Sequence, residues 1–122
     1  MQRWNWELLR DAVQRVIDDG GIGRPATLRL TITARGADSE AKQHLAECQK
    51  AAAEWFGSQP DSSYSIGDSG NPSVTALKWK SGASAILSVS AVPSGRVGGN
   101  AMLMGTRGTI YHEIGDSESW LG

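Results

Sequence analysis

The chain has 122 residues, of which 39% are hydrophobic and 20% charged, and a formal net charge of -1 at neutral pH. One domain with one core fits this length, whereas a cofactor domain joined to a substrate domain does not. The balanced charge, without a basic stripe, argues against nucleic-acid binding.

The cysteine content and the N-terminal segment bear on the compartment. Cys48 is the one cysteine of the sequence, so the chain forms no internal disulfide, which fits a reducing environment. The N-terminal segment lacks the apolar stretch of a signal peptide, and no run approaches the roughly 18 apolar residues that span a bilayer. We therefore expect a cytoplasmic protein without a membrane segment.

The first half of the chain predicts a helix, a strand and a second helix. Residues 5–19 carry apolar side chains at helical spacing, and Gly20 ends this repeat. Residues 27–34 alternate between apolar and polar, which is typical of a half-buried strand. Residues 39–56 again show a helical apolar stripe, and Gly57 ends it.

The second half predicts turns and strands only. Residues 58–72 are rich in Ser, Gly, Asp and Pro and are predicted to be a loop, and residues 115–122 are predicted to be a tail. Between them the sequence predicts two hairpins, whose strands are 73–80 with 83–92, and 101–105 with 109–114. This order predicts a single α+β domain over residues 1–122. Its sheet is mostly antiparallel, with the two helices on one face.

One aromatic residue of the first hairpin suggests a partner surface. Trp79 lies between Lys78 and Lys80, so its ring points to the opposite side of the strand from the two lysines. We predict that this side is the uncovered face of the sheet, where an exposed aromatic ring indicates a binding surface.

The second predicted helix carries the candidate acid/base residues. Glu40 and His44 are four residues apart, so they face the same way, and Glu47 borders that face. A carboxylate that orients an imidazole makes a general acid/base pair, so Glu40 and His44 are the candidate catalytic residues. The alternative is that these three residues form the solvated side of an amphipathic helix.

The sequence predicts neither a dinucleotide site nor a metal site. The glycine clusters at 20–23 and 105–108 are too short for a phosphate-binding loop, and we interpret them as a helix stop and a hairpin turn. His44, Glu47 and Cys48 would give three ligands, whereas a closed metal site needs four. Arg96 lies in a predicted turn and could hold an anionic group of a substrate, although turn arginines are usually just solvated.

Two stretches of the sequence together resemble a known family. The stretch RDAVQRVIDDGGIGRPATLRLTITARG at 10–36 is similar to the helix, G-x-I-G-x-P turn and strand that open the C-terminal domain of the Gfo/Idh/MocA oxidoreductases. The stretches ALKWKSGASAILSVSA at 76–91 and LMGTRGTIYHE at 103–113 are similar to that domain's later strands and GtrG hairpin. The resemblance is collinear and covers about 10–36 and 74–113.

The resemblance implies a fold, a partner and a cofactor. The implied fold is an open, mostly antiparallel sheet with two helices on one face and the other face available for subunit pairing. The bare sheet face of that domain commonly packs against another subunit, so we expect a homodimer or a higher homo-oligomer through this face. The family's domain holds sugar or polyol-like substrates against NAD(P) bound by a preceding Rossmann domain, and Met1 falls close to where that first domain would end. We therefore expect no cofactor in this chain, and NAD(P) only where a separate Rossmann-domain partner is present.

The resemblance also implies an acid/base pair in the pattern D-x-x-x-H on the second helix. Alignment on Gly57 places Gln43 and Glu47 at these two positions and needs no insertion in the helix. Alignment on His44 places Glu40 at the first position and requires about one more helical turn. The first alignment is preferred, and in it both functional groups of the family's pair are lost. The candidate substrate-binding residues are Glu47 and Gln43 from this alignment, together with the turn residue Arg96.

Three hypotheses follow for the function. The leading one is a stand-alone or excised substrate-binding and oligomerisation domain, which cannot transfer hydride by itself. The second is an enzyme of another type that uses Glu40 and His44 for proton transfer. The third is a protein-interaction module that uses the open sheet face.

Overall fold

The computed structural model describes residues 6–36, 38–66, 73–92 and 97–115. Within these residues the chain forms two helices and six strands. They are α1 (Trp6–Asp19), β1 (Pro25–Arg35), α2 (Asp38–Phe56), β2 (Ser62–Ile66), β3 (Ser73–Lys78), β4 (Ser84–Val92), β5 (Gly98–Gly105) and β6 (Thr109–Gly115).

The strands form one open sheet in the order β2-β3-β4-β1-β5-β6. Neighbouring strands are antiparallel, except that β1 pairs in parallel with β4 over residues 27–35 and 84–92. The parallel pair forms because the chain leaves β1 through α2 and two further strands before β4 lies beside it. The predicted α+β fold with an open, mostly antiparallel sheet is confirmed.

The alternating sequence of β1 determines which face of the sheet is covered. Leu28, Leu30 and Ile32 are at most 2% exposed, whereas Arg29 and Thr31 point the other way and are exposed. Burial of an aliphatic side chain stabilises the fold by about 1.5–3 kcal/mol. A shift of one residue in the strand register would therefore lose several such contributions at once.

Both helices pack on the face that holds these buried residues. α1 contacts β5 and β6, and α2 contacts β4 and β1. Leu9 and Val13 of α1 and Ala52 of α2 are completely buried in the same core as the leucines of β1. Both predicted helices are confirmed, and α2 ends at Gly57, where a φ of +83° allows the N–H to donate to the Ala53 carbonyl oxygen at 2.9 Å.

One strand lies where the sequence predicts a loop. The prediction for residues 58–72 is wrong in its first half, because β2 pairs with β3 along its whole length. Three of its five residues are serines, whose strand propensity is low, so the local sequence does not reveal it. The pairing is supported by a hydrogen bond of 2.9 Å between the Ser65 and Thr75 hydroxyls. Residues 67–72 and 116–122 lie outside the described residues. The structure therefore does not test the second part of the predicted loop or residues 116–122 of the predicted tail.

The prediction that Trp79 lies on the uncovered face is also wrong. Trp79 is only 6% exposed, its ring centroid lies 4.4 Å from that of Phe56, and its Nε1 donates to the Ser58 carbonyl oxygen at 2.9 Å. The ring does point away from Lys78, which is exposed, but Lys78 is the residue on the uncovered face. Trp79 therefore belongs to the core under α2 and not to a partner surface.

The two turns that carry the glycine clusters pack against each other. The Thr106 N–H donates to the Arg24 carbonyl oxygen at 3.0 Å, and the Arg24 N–H donates to the Thr106 hydroxyl at 3.0 Å. The Arg107 N–H donates to the Ile22 carbonyl oxygen at 2.8 Å. A Cβ at Gly105 would overlap that same carbonyl oxygen, so only glycine fits there. We refer to this packing of residues 21–24 against 105–108 as the turn contact.

The turn contact predicts that alanine substitution lowers the stability at Gly105 and has little effect at Gly108. We expect Gly105→Ala to lower the free energy of unfolding by about 1–3 kcal/mol, because the added Cβ forces the two turns apart. Gly108→Ala is the matched control, since a Cβ there would lie 3.6 Å from the Gly21 carbonyl oxygen, an ordinary contact. We expect it to change the stability by less than about 1 kcal/mol. Urea unfolding followed by circular dichroism measures both, and equal losses would contradict this account.

Candidate functional site

The outer side of α2 carries a stripe of polar and charged residues. Gln43, Glu47, Lys50 and Glu54 follow one another at intervals of four, three and four residues, so they share one face of the helix. All except Gln43 reach a groove between α2 and α1. This face differs from the apolar stripe of α2, on which Cys48 and Ala52 are buried in the core.

The groove between the helices has a volume of about 200 Å³. Its lining consists of Glu7 and Arg10 from α1 and Glu47, Lys50, Ala51 and Glu54 from α2. We call it the helix groove. Ala51 lies among five charged side chains, so the lining combines hydrogen-bond acceptors and donors around a small methyl group. Such a surface can hold a small ligand with several hydroxyl groups, because these groups both donate and accept hydrogen bonds.

The structure separates the candidate residues of the sequence. Glu47 lies in the helix groove, and Gln43 is exposed one turn before it on the same stripe. His44 is half-buried and lies four residues before the buried Cys48, at the border of the core-facing stripe. The Glu40 side chain and the whole of Arg96 lie outside the described residues. The pairing of Glu40 with His44 and the role of Arg96 therefore stay predictions.

Sequence reasoning missed most residues of the helix groove. Lys50 and Glu54 could have been found, because they continue the spacing of Gln43 and Glu47 along one helix face. Glu7 and Arg10 could not have been found in this way. They join the groove only because α1 and α2 pack side by side on the sheet.

The thiol of Cys48 has a raised pKa. Burial, and to a smaller extent the nearby charge of Glu47, raises the pKa of Cys48 to about 12. The thiolate is the form that attacks electrophiles and binds metals, so Cys48 does neither near neutral pH. Among the described residues, no three His, Cys, Asp or Glu side chains lie close enough together to hold a metal ion.

The pKa of Cys48 predicts a loss of stability in alkaline solution. Between the ordinary thiol pKa of 9.0 and about 12, the unfolded chain releases the thiol proton while the folded chain keeps it. The free energy of unfolding therefore falls as pH rises through this window, by up to about 1.4 kcal/mol per pH unit from this group. Below the window the contribution is fully present.

The variant Cys48→Ala separates the contribution of the Cys48 thiol to the free energy of unfolding from the contributions of lysines and tyrosines, which also titrate in alkali. We expect urea unfolding at pH 8, 9 and 10 to show that the free energy of unfolding falls more steeply with pH for the wild type than for the variant. The variant is less stable at pH 8 because it lacks the buried sulfur, and the difference between the two proteins narrows as pH rises. Parallel pH profiles would contradict the shifted pKa.

The face of the sheet that the helices leave uncovered is the second candidate surface, and we call it the open face. The strand pairing places one row of side chains across all six strands of it. In order from β2 to β6, the row is Tyr64, Ala76, Ile86, Arg29, Met102 and Tyr111.

The large apolar side chains that are exposed in the described residues all lie on the open face. They are Tyr64 (68% exposed), Ile66 (60%), Ile86 (44%), Met104 (44%) and Tyr111 (60%). The rest of the face carries serine and threonine hydroxyls, as in the hydrogen bond from Ser90 to Thr33 at 3.4 Å, and charged residues such as Arg29, Lys78 and Glu113. Contiguous exposed apolar surface marks interaction sites, so the open face is the candidate protein-interaction surface.

The fold is shared with solved dehydrogenase structures. A chain titled probable dehydrogenase from Thermotoga maritima superimposes with a TM-score of 0.70 at 16% identity, over 88% of this chain and 38% of that one. The WlbA dehydrogenase from Bordetella pertussis, in complex with NADH and UDP-GlcNAcA, gives a TM-score of 0.66 at 16% identity, over 90% and 40%. The myo-inositol 2-dehydrogenase from Lactobacillus plantarum gives 0.61 at 14% identity, over 85% and 38%.

This is the fold of the C-terminal domain of Gfo/Idh/MocA-type dehydrogenases. The resemblance predicted from the glycine turns and the hairpins is thereby confirmed for the fold. The chain spans about 38% of the length of the first of these dehydrogenases. No protein-family model matches the sequence, and no curated protein matches it either.

The two quoted sequence motifs of the Gfo/Idh/MocA fold meet in the turn contact. The G-x-I-G-x-P turn supplies Ile22 and Arg24, and the GtrG hairpin supplies Thr106 and Arg107. The motifs are therefore structural, and they say nothing about substrate chemistry. Neither described helix is long and apolar enough to cross a membrane.

Proposed function

We propose that this chain is an assembly domain, which pairs through the open face with a second copy of itself. The observation that carries the proposal is the position of the exposed apolar side chains. Tyr64, Ile86 and Tyr111 lie in one row that crosses the sheet from edge to edge, on the face without helices.

The open face has the dimensions of a stable interface. Six strands at a spacing of about 4.8 Å span about 24 Å, and seven residues along a strand span about 23 Å. The flat area is thus roughly 550 Å², and side-chain relief raises the accessible area above this value. Stable interfaces bury about 600–1,000 Å² on each partner, so the open face reaches the lower part of this range and a second copy of the same face can cover it.

The composition of the open face also suits pairing between copies. Interfaces are about as apolar as other protein surfaces, and their centres are rich in Tyr, Met and Arg. Here Arg29 lies between Ile86 and Met102 at the middle of the row, and the tyrosines lie at its ends. A surface that packs on itself about a two-fold axis needs no other partner.

The described residues do not fit a dinucleotide. A pyrophosphate site uses several glycines between a strand and the N-terminus of a helix, where backbone N–H groups attract the phosphates. The junction of β1 and α2 has one glycine, Gly36, and the first turn of α2 contains Asp38 and Glu40 in sequence, whose charges oppose an anion. We therefore propose that NAD(P), where it is used, binds to a separate Rossmann-domain partner.

The assembly proposal predicts the effect of a charge on the open face. We expect Ile86→Glu to halve the mass of the wild-type assembly in analytical ultracentrifugation. A carboxylate at this position loses its hydration when the interface closes, although Arg29 lies beside it in the row, and we expect pairing to weaken at least about tenfold. Ala46→Glu introduces the same charge at an exposed site of α2 on the other side of the sheet and is expected to leave the mass unchanged. A wild type that stays monomeric, or an unchanged mass for Ile86→Glu, would exclude the proposal.

The helix groove supports a second function, the binding of a small polyhydroxylated ligand. The observation in its favour is that Glu47, a position implied by the resemblance, lies in a groove with Arg10 and Lys50. A carboxylate accepts hydrogen bonds from adjacent hydroxyl groups, and the two cations serve hydroxyl oxygens. The myo-inositol dehydrogenase fold neighbour makes a cyclic polyol a reasonable first probe.

We expect myo-inositol to shift the amide NMR signals of Glu47, Lys50 and Ala51. Glu47→Gln removes a charged acceptor and is expected to weaken binding about tenfold, since a hydrogen bond to a charged group contributes about 1.5–3 kcal/mol. Asp19→Asn removes an equal charge at an exposed site outside the groove and is expected to bind like the wild type. Shifts confined to other regions, or none at all, would exclude the groove as the polyol site.

A further inference from the structure

Among the residues that the structure describes, no strand pairs with the outer edge of β2. One side of β2 pairs with β3, and β2 is the first strand in the order of the sheet. All five of its residues are exposed, including Tyr64 at 68% and Ile66 at 60%. The backbone N–H and C=O groups on its outer side are available to another strand.

This edge lacks the features by which proteins prevent strand addition. Natural edge strands carry a charged side chain, a proline or a bulge. Residues 62–66 read Ser-Ser-Tyr-Ser-Ile, without a charge or a proline, and they pair with β3 in continuous register without a bulge. The opposite edge, β6, differs because it carries Glu113 and His112, both exposed.

We propose that β2 pairs in antiparallel fashion with β2 of a second copy, about a two-fold axis that passes beside Tyr64. Because the strand has five residues, pairing all of them places the central residue opposite itself. Ser63 then lies opposite Ser65 of the second copy, and Ser62 lies opposite Ile66 of the second copy. The edge is uncharged along its length, so this self-pairing brings no like charges together.

A second copy of β2 is a better occupant than the other edge of the sheet. Pairing of β2 with β6 of the next copy would leave a free β2 and a free β6 at the two ends, and such contacts build open filaments. Pairing of β2 with β2 closes after two copies. It also places the two Tyr64 rings side by side on the open face, where an aromatic cross-strand pair stabilises the pairing of the two strands.

This edge interface is separate from the pairing proposed for the open face. Edge pairing joins two sheets side by side into twelve strands and leaves their open faces pointing the same way. Face pairing stacks one sheet on another. With both interfaces and with intersecting two-fold axes the assembly is a tetramer, and with Ile86→Glu it is a dimer held by β2.

The register of the edge predicts a specific cross-link, tested in the Ile86→Glu background so that face pairing does not contribute. Residues directly opposite in an antiparallel pair have Cα atoms about 4.5–5.5 Å apart, which a disulfide can bridge. We expect Tyr64→Cys to form a covalent dimer with oxidised glutathione at least about tenfold faster than Ile66→Cys. The Ile66 residues of the two copies would be about 13 Å apart along the strands, although Ile66 is similarly exposed. Equal rates, or no covalent dimer, would overturn the proposal, and Cys48 does not interfere because it is buried.

A charge-reversal experiment in the same background tests the pairing without a cross-link. In S63K/S65K the lysines of the two copies lie opposite each other, and in S63D/S65D the aspartates of the two copies lie opposite each other. Because like charges repel, we expect each variant alone to dimerise at least about tenfold more weakly than the parent. An equal mixture of the two is expected to dimerise within about threefold of the parent. Both variants lose the Ser65–Thr75 hydrogen bond, so a purely structural effect would not be rescued by mixing. Unweakened variants, or a mixture without rescue, would overturn the edge interface, whereas an Ile86→Glu protein with the wild-type mass would overturn only the face pairing.

Discussion

The turn contact is the constraint on which the arrangement of this sheet depends. It joins the segment between α1 and β1 to the hairpin between β5 and β6, which are more than 80 residues apart in sequence. Its hydrogen bonds hold the start of β1 against Gly105, where the β1–β5 register shifts between Pro25 and Thr27. Because α1 ends directly before this turn, the same contact places α1 over β5 and β6. Glycine is required at Gly105 for steric reasons, and backbone contacts of this kind explain why the quoted motifs are rich in glycine.

One-sided covering of the sheet follows from the arrangement of the helices. α1 and α2 both lie on the face that holds Leu28 and Leu30, so the other face of six strands has no cover from the described residues. A sheet with one solvated face normally shows polar residues there, and β1 obeys this rule with Arg29 and Thr31. The exceptions are Ile86 in the centre and Tyr64 and Tyr111 at the edges, and they are the residues on which the proposed face pairing rests.

The sequence was sufficient for the helices, the inner strands and the fold class, because these elements have strong periodic patterns and glycine stops such as Gly57. It was insufficient for β2, whose serines carry little strand preference and whose pairing with β3 is decided by tertiary contact. Trp79 shows a different limit. Alternation placed its ring opposite Lys78 correctly, but it did not say which side the helices cover. The helix groove shows a third limit, since Glu47 could be derived from α2 alone whereas Arg10 needed the packing of two helices.

The two candidate surfaces lie on opposite sides of the same sheet, and this separation has a functional consequence. The helix groove is formed by side chains that point away from the core on α1 and α2, whereas the open face lies beyond the core, under β1 and its neighbours. No described residue belongs to both surfaces, so a copy can pair through its sheet without closing its groove. The core between them is well packed and includes the buried thiol of Cys48 next to Glu47 in sequence. The proposed face pairing would therefore leave the helix groove open to a ligand.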